Sequence, residues 1–512
     1  MHMRNILKVI FGRVLFTVLC LLIQLVWLIG LVWKLNQYYV WFSAVFDIIA
    51  LIVVLRINAK SDFSAARLVW TIVILALPVF GICLYLMFGR TGLTKRTRAI
   101  YEKVQKRFAC QLSQDENVLG ALKENNIYIH NQEYYIQSSS GYPVYQNTDV
   151  SYYPQAEAAL EALLEDLGNA REFIFMEYFA VEDTQAFHRI EEVLLRKISE
   201  GVEVRFIYDD FGSIGYVKPE FMRRLNRQGI QCRIFNPLVP FLYIFMNHRD
   251  HRKITVIDNR ISYSGGFNLA DEYFNITHPY GHWKDTGIRL EGDAVRSHTI
   301  MFLEMWNFIR DTDTAWDKYL TSCAPFQSRQ GGYVQPYSDT PLDNVTLGEN
   351  VYMNILKNAT DYVYISTPYL IIDNEMQKEL CMAAERGIDV RIITPGIPDK
   401  KLVFLLTQSY YTALIRSGVR IYQYTPGFIH AKGYVSDDQT AVVGTINMDY
   451  RSLYLHFECG VYLYGCDAVM DIKKDFCDTF PLCTEIGIDY CQKRSVFVRC
   501  FQCILRLFAP LL

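Results

Sequence analysis

The chain has 512 residues, enough for two or three domains. With 51% apolar and 21% charged residues it is neither a disordered nor a low-complexity polymer. A net charge of −3 argues against a dedicated nucleic-acid binder, and a mean hydropathy of +0.07 is high for a soluble protein, so apolar sequence must be concentrated somewhere.

It is concentrated at the start. Val14 to Trp33 is a run of 20 positions without a charge, and Leu68 to Gly89 is a run of 22. Each is long enough to cross a bilayer as a helix. Leu35 to Leu55 is a third candidate, with Asp47 near its middle. An acid at that depth costs about 2.5–3.5 kcal/mol on insertion scales. Arg4, Lys8 and Arg13 precede the first run like the start of a signal peptide, but the run is too long and no small-residue cleavage site follows. Residues 1–95 are therefore expected to form a membrane region of two or three transmembrane helices. Arg90, Lys95, Arg96, Arg98, Lys103, Lys106 and Arg107 follow the last run against Glu102 alone. That excess predicts a multi-pass protein of the cell membrane with its catalytic part in the cytoplasm. The 13 cysteines have no repeated metal spacing, and Cys500 to Cys503 is an isolated pair, so unpaired thiols in a reducing compartment are expected.

Beyond residue 95 the sequence repeats. Gly201–Tyr208 and Gly387–Thr394 read as equivalent buried strands, offset by 186. Glu172–Phe179 and Tyr362–Thr367 are strand candidates ahead of them, and Ala156–Leu167 and Glu375–Arg386 have helical periodicity. Strand–helix–strand alternation in each copy predicts an α/β fold of two similar halves related by a pseudo-two-fold, with a site at their seam. Gln327–Pro341, rich in Gly, Ser, Gln and Pro, is the expected linker. The halves are expected over 96–330 and 331–512.

The sharpest signal is a duplicated motif. His251-Arg-Lys253-Ile-Thr-Val-Ile-Asp258 and His430-Ala-Lys432-Gly-Tyr-Val-Ser-Asp437 match at an offset of 179, which also carries Gly265 onto Gly444 and Asn268 onto Asn447. Histidine and lysine two apart on a strand share a face. The lysine ammonium is a point charge suited to a phosphate oxygen. A neutral imidazole can attack phosphorus, and a charged one can donate a proton. Brought together, the copies make a metal-free, cofactor-free phosphodiester-exchange site: one histidine is the nucleophile and the other the acid and then the base. Asn268 and Asn447 are expected to offer amide donors to the phosphoryl oxygens. Asp258 and Asp437 complete the candidate catalytic sets, but their opposite strand parity predicts that they brace the backbone.

These paired motifs resemble the phospholipase D superfamily, and within it the bacterial cardiolipin synthases. The resemblance extends to Glu177-Tyr178, Tyr208-Asp-Asp-Phe-Gly-Ser213, Gly265-Gly-Phe-Asn268, Trp283-Lys-Asp285, Thr367-Pro-Tyr369, Asn447-Met-Asp-Tyr-Arg-Ser452 and, near the N-terminus, Leu77-Pro78 and Tyr85-Leu-Met-Phe-Gly89. It implies two phospholipase D-like halves behind a transmembrane helical region. It also implies phosphatidyl transfer between two phosphatidylglycerol molecules through a phosphohistidine, giving cardiolipin and glycerol at a membrane, without nucleic acid. Asp285 and Glu458 match the family's acids that orient a catalytic histidine, and His251 is the nucleophile by analogy. His456 departs from the family's usual Asn. Two other readings use the same sequence: a phospholipase D-type hydrolase or head-group exchanger, and a non-catalytic membrane protein that binds anionic lipid. Val496–Leu507, with six apolar residues and Arg499 and Arg506, reads as a helix that lies in a bilayer interface or packs on the catalytic part.

Overall fold

The structure is a computed structural model and describes residues 19, 21–27, 36–59, 64–89, 95–218, 220–237, 247–313, 315–320, 326–343 and 345–511. The chain forms two compact units. One comprises Met1–Arg98, Pro237–His248 and Leu507–Leu512, and the other Ala99–Asn236 and Arg249–Arg506.

The first unit is helical where described. Asn36–Asn58 is one helix, and Ala50, Val54 and Ile57 pack with Trp70 and Ile74 of the helix Ser64–Ala76. Most of the expected span Val14–Trp33 lies outside the described residues. Among the described residues no helix is long and apolar enough to cross a membrane. Asn36–Asn58 is continuous and carries Asp47 and Arg56, whereas the expected continuous span Leu68–Gly89 is divided. Pro78 starts a new helix, Pro78–Leu84, because a proline cannot donate to the preceding turn, and Tyr85–Gly89 continues as a π-turn.

The second unit holds two large sheets. The first comes from β1 (Thr148–Tyr153), β2 (Phe173–Tyr178), β3 (Glu203–Asp209), β4 (Gln231–Phe235), β6 (Lys253–Ile257), β7 (Ile261–Gly265) and β9 (Gly287–Gly292), in the order β1-β9-β7-β6-β2-β3-β4. Two short strands, β5 (Arg249–Asp250) and β8 (His282–Lys284), belong elsewhere. The second sheet comes from β10 (Tyr333–Asp339), β11 (Tyr362–Ser366), β13 (Asp389–Pro395), β14 (Arg420–Tyr424), β16 (Gly433–Ser436), β17 (Thr440–Gly444), β19 (His456–Tyr464) and β20 (Cys483–Ile486). Its order is β10-β19-β17-β16-β11-β13-β14-β20, which repeats the first and adds an edge strand. The remaining strands are β12 (Leu370–Ile371), β15 (Gly427–Ile429) and β18 (Met448–Asp449).

The physics is the same in both sheets. β2, β3 and β4 are parallel neighbours, as are β11, β13 and β14, and crossover helices such as Gln185–Ser199 and Asn374–Glu385 cover them. The helix Ala156–Gly168 buries Ala159, Leu160, Leu163 and Leu167 against the first sheet's core. β2 is buried at every position, as a strand covered on both faces must be.

One expectation fails here. Gln327–Pro341 is no linker throughout its length, because Tyr333–Asp339 forms β10, buried and antiparallel to β19. Pro336 sits in it without penalty because β10 is an edge strand, where a missing N–H breaks no ladder.

Candidate active site

The two motif histidines stand where the chain changes partner. β5 runs parallel to the start of β19, with Arg249 opposite His456 and Asp250 opposite Phe457, and the His251 N–H then donates to Phe457 O at 2.9 Å. In the same way β15 runs parallel to β8, and the His430 N–H donates to Lys284 O at 2.7 Å. After each histidine the backbone crosses to its own sheet, as β6 and β16. The expectation that histidine and lysine share one regular strand is therefore corrected: His251 and His430 precede the strands, because their amides are committed to the opposite half.

The carboxylates arrive by the same crossing. His251 Nδ1 lies 2.8 and 3.0 Å from the two oxygens of Glu458, and His430 Nδ1 lies 2.7 Å from Asp285 Oδ2. Each imidazole is held by an acid of the other half. With Nδ1–H donating to carboxylate, Nε2 is the basic nitrogen of each ring, and on His430 it faces the Lys432 ammonium at 3.0 Å. Glu458 also accepts from the hydroxyls of Thr445 and Ser452, and Asp285 accepts from the Thr286 N–H at 2.9 Å.

The glycines of the repeat make these approaches possible. A Cβ on Gly265 would stand 2.3 Å from Thr286 O, and one on Gly444 2.4 Å from Cys459 O. Either side chain would push away the backbone of the residue that follows the acid.

The site is buried and electropositive. Lys253 Nζ donates to His251 O at 2.6 Å, and Lys432 Nζ donates to His430 O and stands 3.0 Å from His430 Nε2. Burial brings the Lys253 ammonium down to about 8 and that of Lys432 to about 7. Burial, then Lys253 and Lys432, hold His251 well below the usual imidazole range. His430 falls to about 3, mainly through burial and Lys432, against the pull of Asp285. Burial alone would raise Asp285, but His430 and Lys432 more than offset it, and its carboxyl ends below the ordinary range. An anionic phosphate would meet two cations and two neutral imidazoles.

The other expected residues divide. Asp258 accepts from the N–H groups of Arg171, Glu172 and Phe173, and Asp437 from those of Thr360, Asp361 and Tyr362. Both brace the start of the neighbouring strand, and neither is turned to the histidines. Each also opens a tight turn. Asp258 and Asn259 have φ of 53° and 50°, and Asp437 and Asp438 have 55° and 58°, a left-handed pair that Asp and Asn tolerate best. Asn268 is largely spent within its own half: Oδ1 accepts from the Ala180 N–H, and Nδ2 donates to Tyr273 Oη. At most its second amide hydrogen is left for a phosphoryl oxygen. Asn447 Oδ1 is buried without a hydrogen-bond partner.

Several contacts have no obvious sequence signal. Phe179 packs edge-on against the His251 ring, and Tyr273 and Trp283 flank His430. Arg252, the middle residue of the first motif, is buried and pairs with Glu177 at 2.6 Å and Asp250 at 3.3 Å. Its counterpart Ala431 has no such role, so the duplication does not reveal it. The ring of His456 stands 5.5 Å from that of His251, and both its nitrogens lack a hydrogen-bond partner. With Glu458 the two histidines place three ligand atoms within 4.8 Å of one another, a spacing that admits a cation. A cation there would compete for the carboxylate that orients His251.

Comparison with known proteins agrees with this geometry. The family described as "Cardiolipin synthase, PLD-like domain" matches residues 163–283 and 352–479, and "Phospholipase D-nuclease N-terminal" matches residues 45–90. An uncharacterized protein of Streptococcus mutans is 43% identical over 89% of this chain and 98% of its own length. Cardiolipin synthase 2 of Bacillus anthracis is 32% identical over 91% of each chain, and the cardiolipin synthase of Oceanobacillus iheyensis is 33% identical over 86% of this chain and 93% of its own. A phosphatidylserine synthase of Haemophilus influenzae shares the fold, with a TM-score of 0.58 at 14% identity over 75% of this chain and 99% of its own. Two copies of one α/β half, each steadying the other's histidine, thus coincide with full-length relatives, and the chain belongs to the cardiolipin synthase family of phospholipase D-like enzymes.

Proposed function

We propose that the chain is a phosphatidyltransferase that joins two phosphatidylglycerol molecules into cardiolipin and releases glycerol. His251 Nε2 attacks the phosphorus of the first lipid in line with the leaving glycerol oxygen. A P–N bond forms, the P–O bond breaks, and His430, protonated once the phosphate is bound, passes its proton to the departing alkoxide. The terminal glycerol hydroxyl of the second lipid then attacks the phosphohistidine. His430 takes that proton back, the P–N bond breaks, and His251 is restored. Lys253 and Lys432 carry the charge on the phosphoryl oxygens, so no step calls for a metal. Asp285 and Glu458 fix the tautomers, and Asp258 and Asp437 hold the strands.

The observation that supports this reading best is the pair of Nδ1–carboxylate contacts across the seam, which fixes Nε2 as the basic nitrogen of each ring. The division of the catalytic part at 330/331, the insertion of residues 1–95 in the cell membrane and a cytoplasmic site complete the proposal. Product analysis from glycerol-labelled phosphatidylglycerol tests it. Cardiolipin and free glycerol in equal amounts are expected, and phosphatidic acid without cardiolipin would replace the synthase by a hydrolase.

A further inference from the structure

The helix Val496–Phe508 is attached by its polar edge. Gln502 is buried, donates from Nε2 to Leu405 O at 2.9 Å and accepts from Arg494 at 3.0 Å. Arg506 donates to Gln377 at 2.5 Å, and its guanidinium lies 4.3 Å from the centre of the Tyr410 ring. The apolar edge points outward: Phe497, Phe501 and Ile504, at helical spacing, are 86%, 43% and 56% exposed, and Val496 beside them is 61% exposed. A helix that only packed on a globular core would show the reverse arrangement. The charge is one-sided as well. From Tyr490 to the C-terminus the chain carries Lys493, Arg494, Arg499 and Arg506 and no acid, with Lys493 and Arg499 exposed. The chain then continues into Ala509–Leu511, which packs against the helix Ser64–Ala76 of the apolar first unit.

We infer that the face Val496–Phe501–Ile504 lies in the headgroup layer of a bilayer containing anionic phospholipid. Its phenylalanines enter the acyl boundary, and Arg499 and Lys493 meet the lipid phosphates. Neither packing nor interfacial lodging alone describes the helix: hydrogen bonds fix it to the protein along one edge, and the other edge is left for lipid. The inference does not depend on the reaction the enzyme performs.

Hydrogen exchange on the full chain in nanodiscs tests it. Discs of phosphatidylcholine alone are compared with discs of phosphatidylcholine and phosphatidylglycerol. In the anionic discs the amides of 496–508 should exchange about tenfold more slowly than in the neutral ones. In F497D/F501D the slowing should vanish, and in R499E it should weaken. β6 and β16 should exchange unchanged in all variants, which reports an intact fold. Equal exchange in both discs would overturn the inference. So would a slowing that depends on protein concentration and not on lipid, which would assign the face to a second copy of the chain.

Discussion

The two halves are copies in topology, but each orients its partner's histidine with different means. Asp285 is the shorter acid and reaches His430 by coming close. It passes over Gly266, where a Cβ would stand 2.0 Å from its Oδ1 and 3.0 Å from His430 O. Glu458 is longer by one methylene and reaches His251 with both oxygens, steered by the hydroxyls of Thr445 and Ser452. Thr445 occupies the position that Gly266 occupies in the other copy, at the repeat offset of 179. Acid length and the residue beneath it have therefore diverged together. An aspartate goes with a glycine that gives it room, and a glutamate goes with a hydroxyl that aims it.

The histidines bear the largest expected effect. His251→Ala and His430→Ala should each lower kcat by about 10⁴-fold or more. They should differ in what they leave behind: a prolonged incubation with lipid should yield a phosphatidylated peptide containing residue 251 in the His430→Ala protein, where formation and breakdown of the adduct are both slowed, and none in the His251→Ala protein. An adduct on residue 430 would exchange the two roles. The acid–spacer pairs come next. Gly266→Ala should cost about 10²- to 10³-fold in kcat, close to Asp285→Asn, because it displaces the same carboxylate. Thr445→Ala, which leaves Ser452 in place, should cost only about 3- to 10-fold. Equal losses at 266 and 445 would contradict the proposed asymmetry.

The lysines sharpen the comparison through pH. Each holds phosphate only while protonated, so the contribution of Lys432 to lipid binding is present below about 7 and lost above it, and that of Lys253 is lost above about 8. KM for phosphatidylglycerol should rise as pH passes through this range. Lys432→Arg stays charged, so it should move the basic limb up to the one set by Lys253. His251 must be neutral to attack, and it is held below the ordinary imidazole range. The acid limb of kcat/KM should therefore lie below about 6.5, giving a bell-shaped profile.

The motif aspartates separate the halves by stability. Asp258→Ala strands the Phe173 N–H in a buried setting and should cost about 2–3 kcal/mol. Asp437 serves the equivalent three amides, that of buried Tyr362 among them, but it is itself half-buried, so water can take its place and Asp437→Ala should cost about 1 kcal/mol. The order of the two Tm shifts is the check. The smallest effect should come from His456→Asn, expected within about threefold of the parent rate, together with a rate unchanged by EDTA. Loss of activity on chelation that His456→Asn removed would instead assign a metal to His251, His456 and Glu458.

Much of this was legible in the sequence. The runs around Phe173–Tyr178 and Asp389–Pro395 are rich in β-branched or aromatic residues, the first covered at every position and the second at all but Asp389 and Arg391, so composition alone marks them as strands. The motifs announce themselves by repeating, and the spacing of Asp258 and Asp437 put them out of line with the histidines. What stayed hidden depends on partners remote in sequence. Nothing near His251 says that its amide bonds residue 457, which is why the strand was expected to begin two residues early. The Gly, Ser, Gln and Pro of 327–341 resemble a linker, but an edge position excuses Pro336 and β19 supplies the pairing. The apolar run at 496–508 has the right period for a helix, but period does not say which edge the protein keeps.

The crossed acids also set the order in which a growing chain acquires the groups that orient its histidines. Both imidazoles are in place by residue 430, and Asp285 has been made long before. Yet His251 has no carboxylate until Glu458 is added, and no backbone acceptor until Phe457. A polypeptide released anywhere between the second motif and β19 would carry both histidines and both lysines but lack the groups that orient His251. The last groups to orient a histidine thus arrive late in the second half, after both motifs are complete.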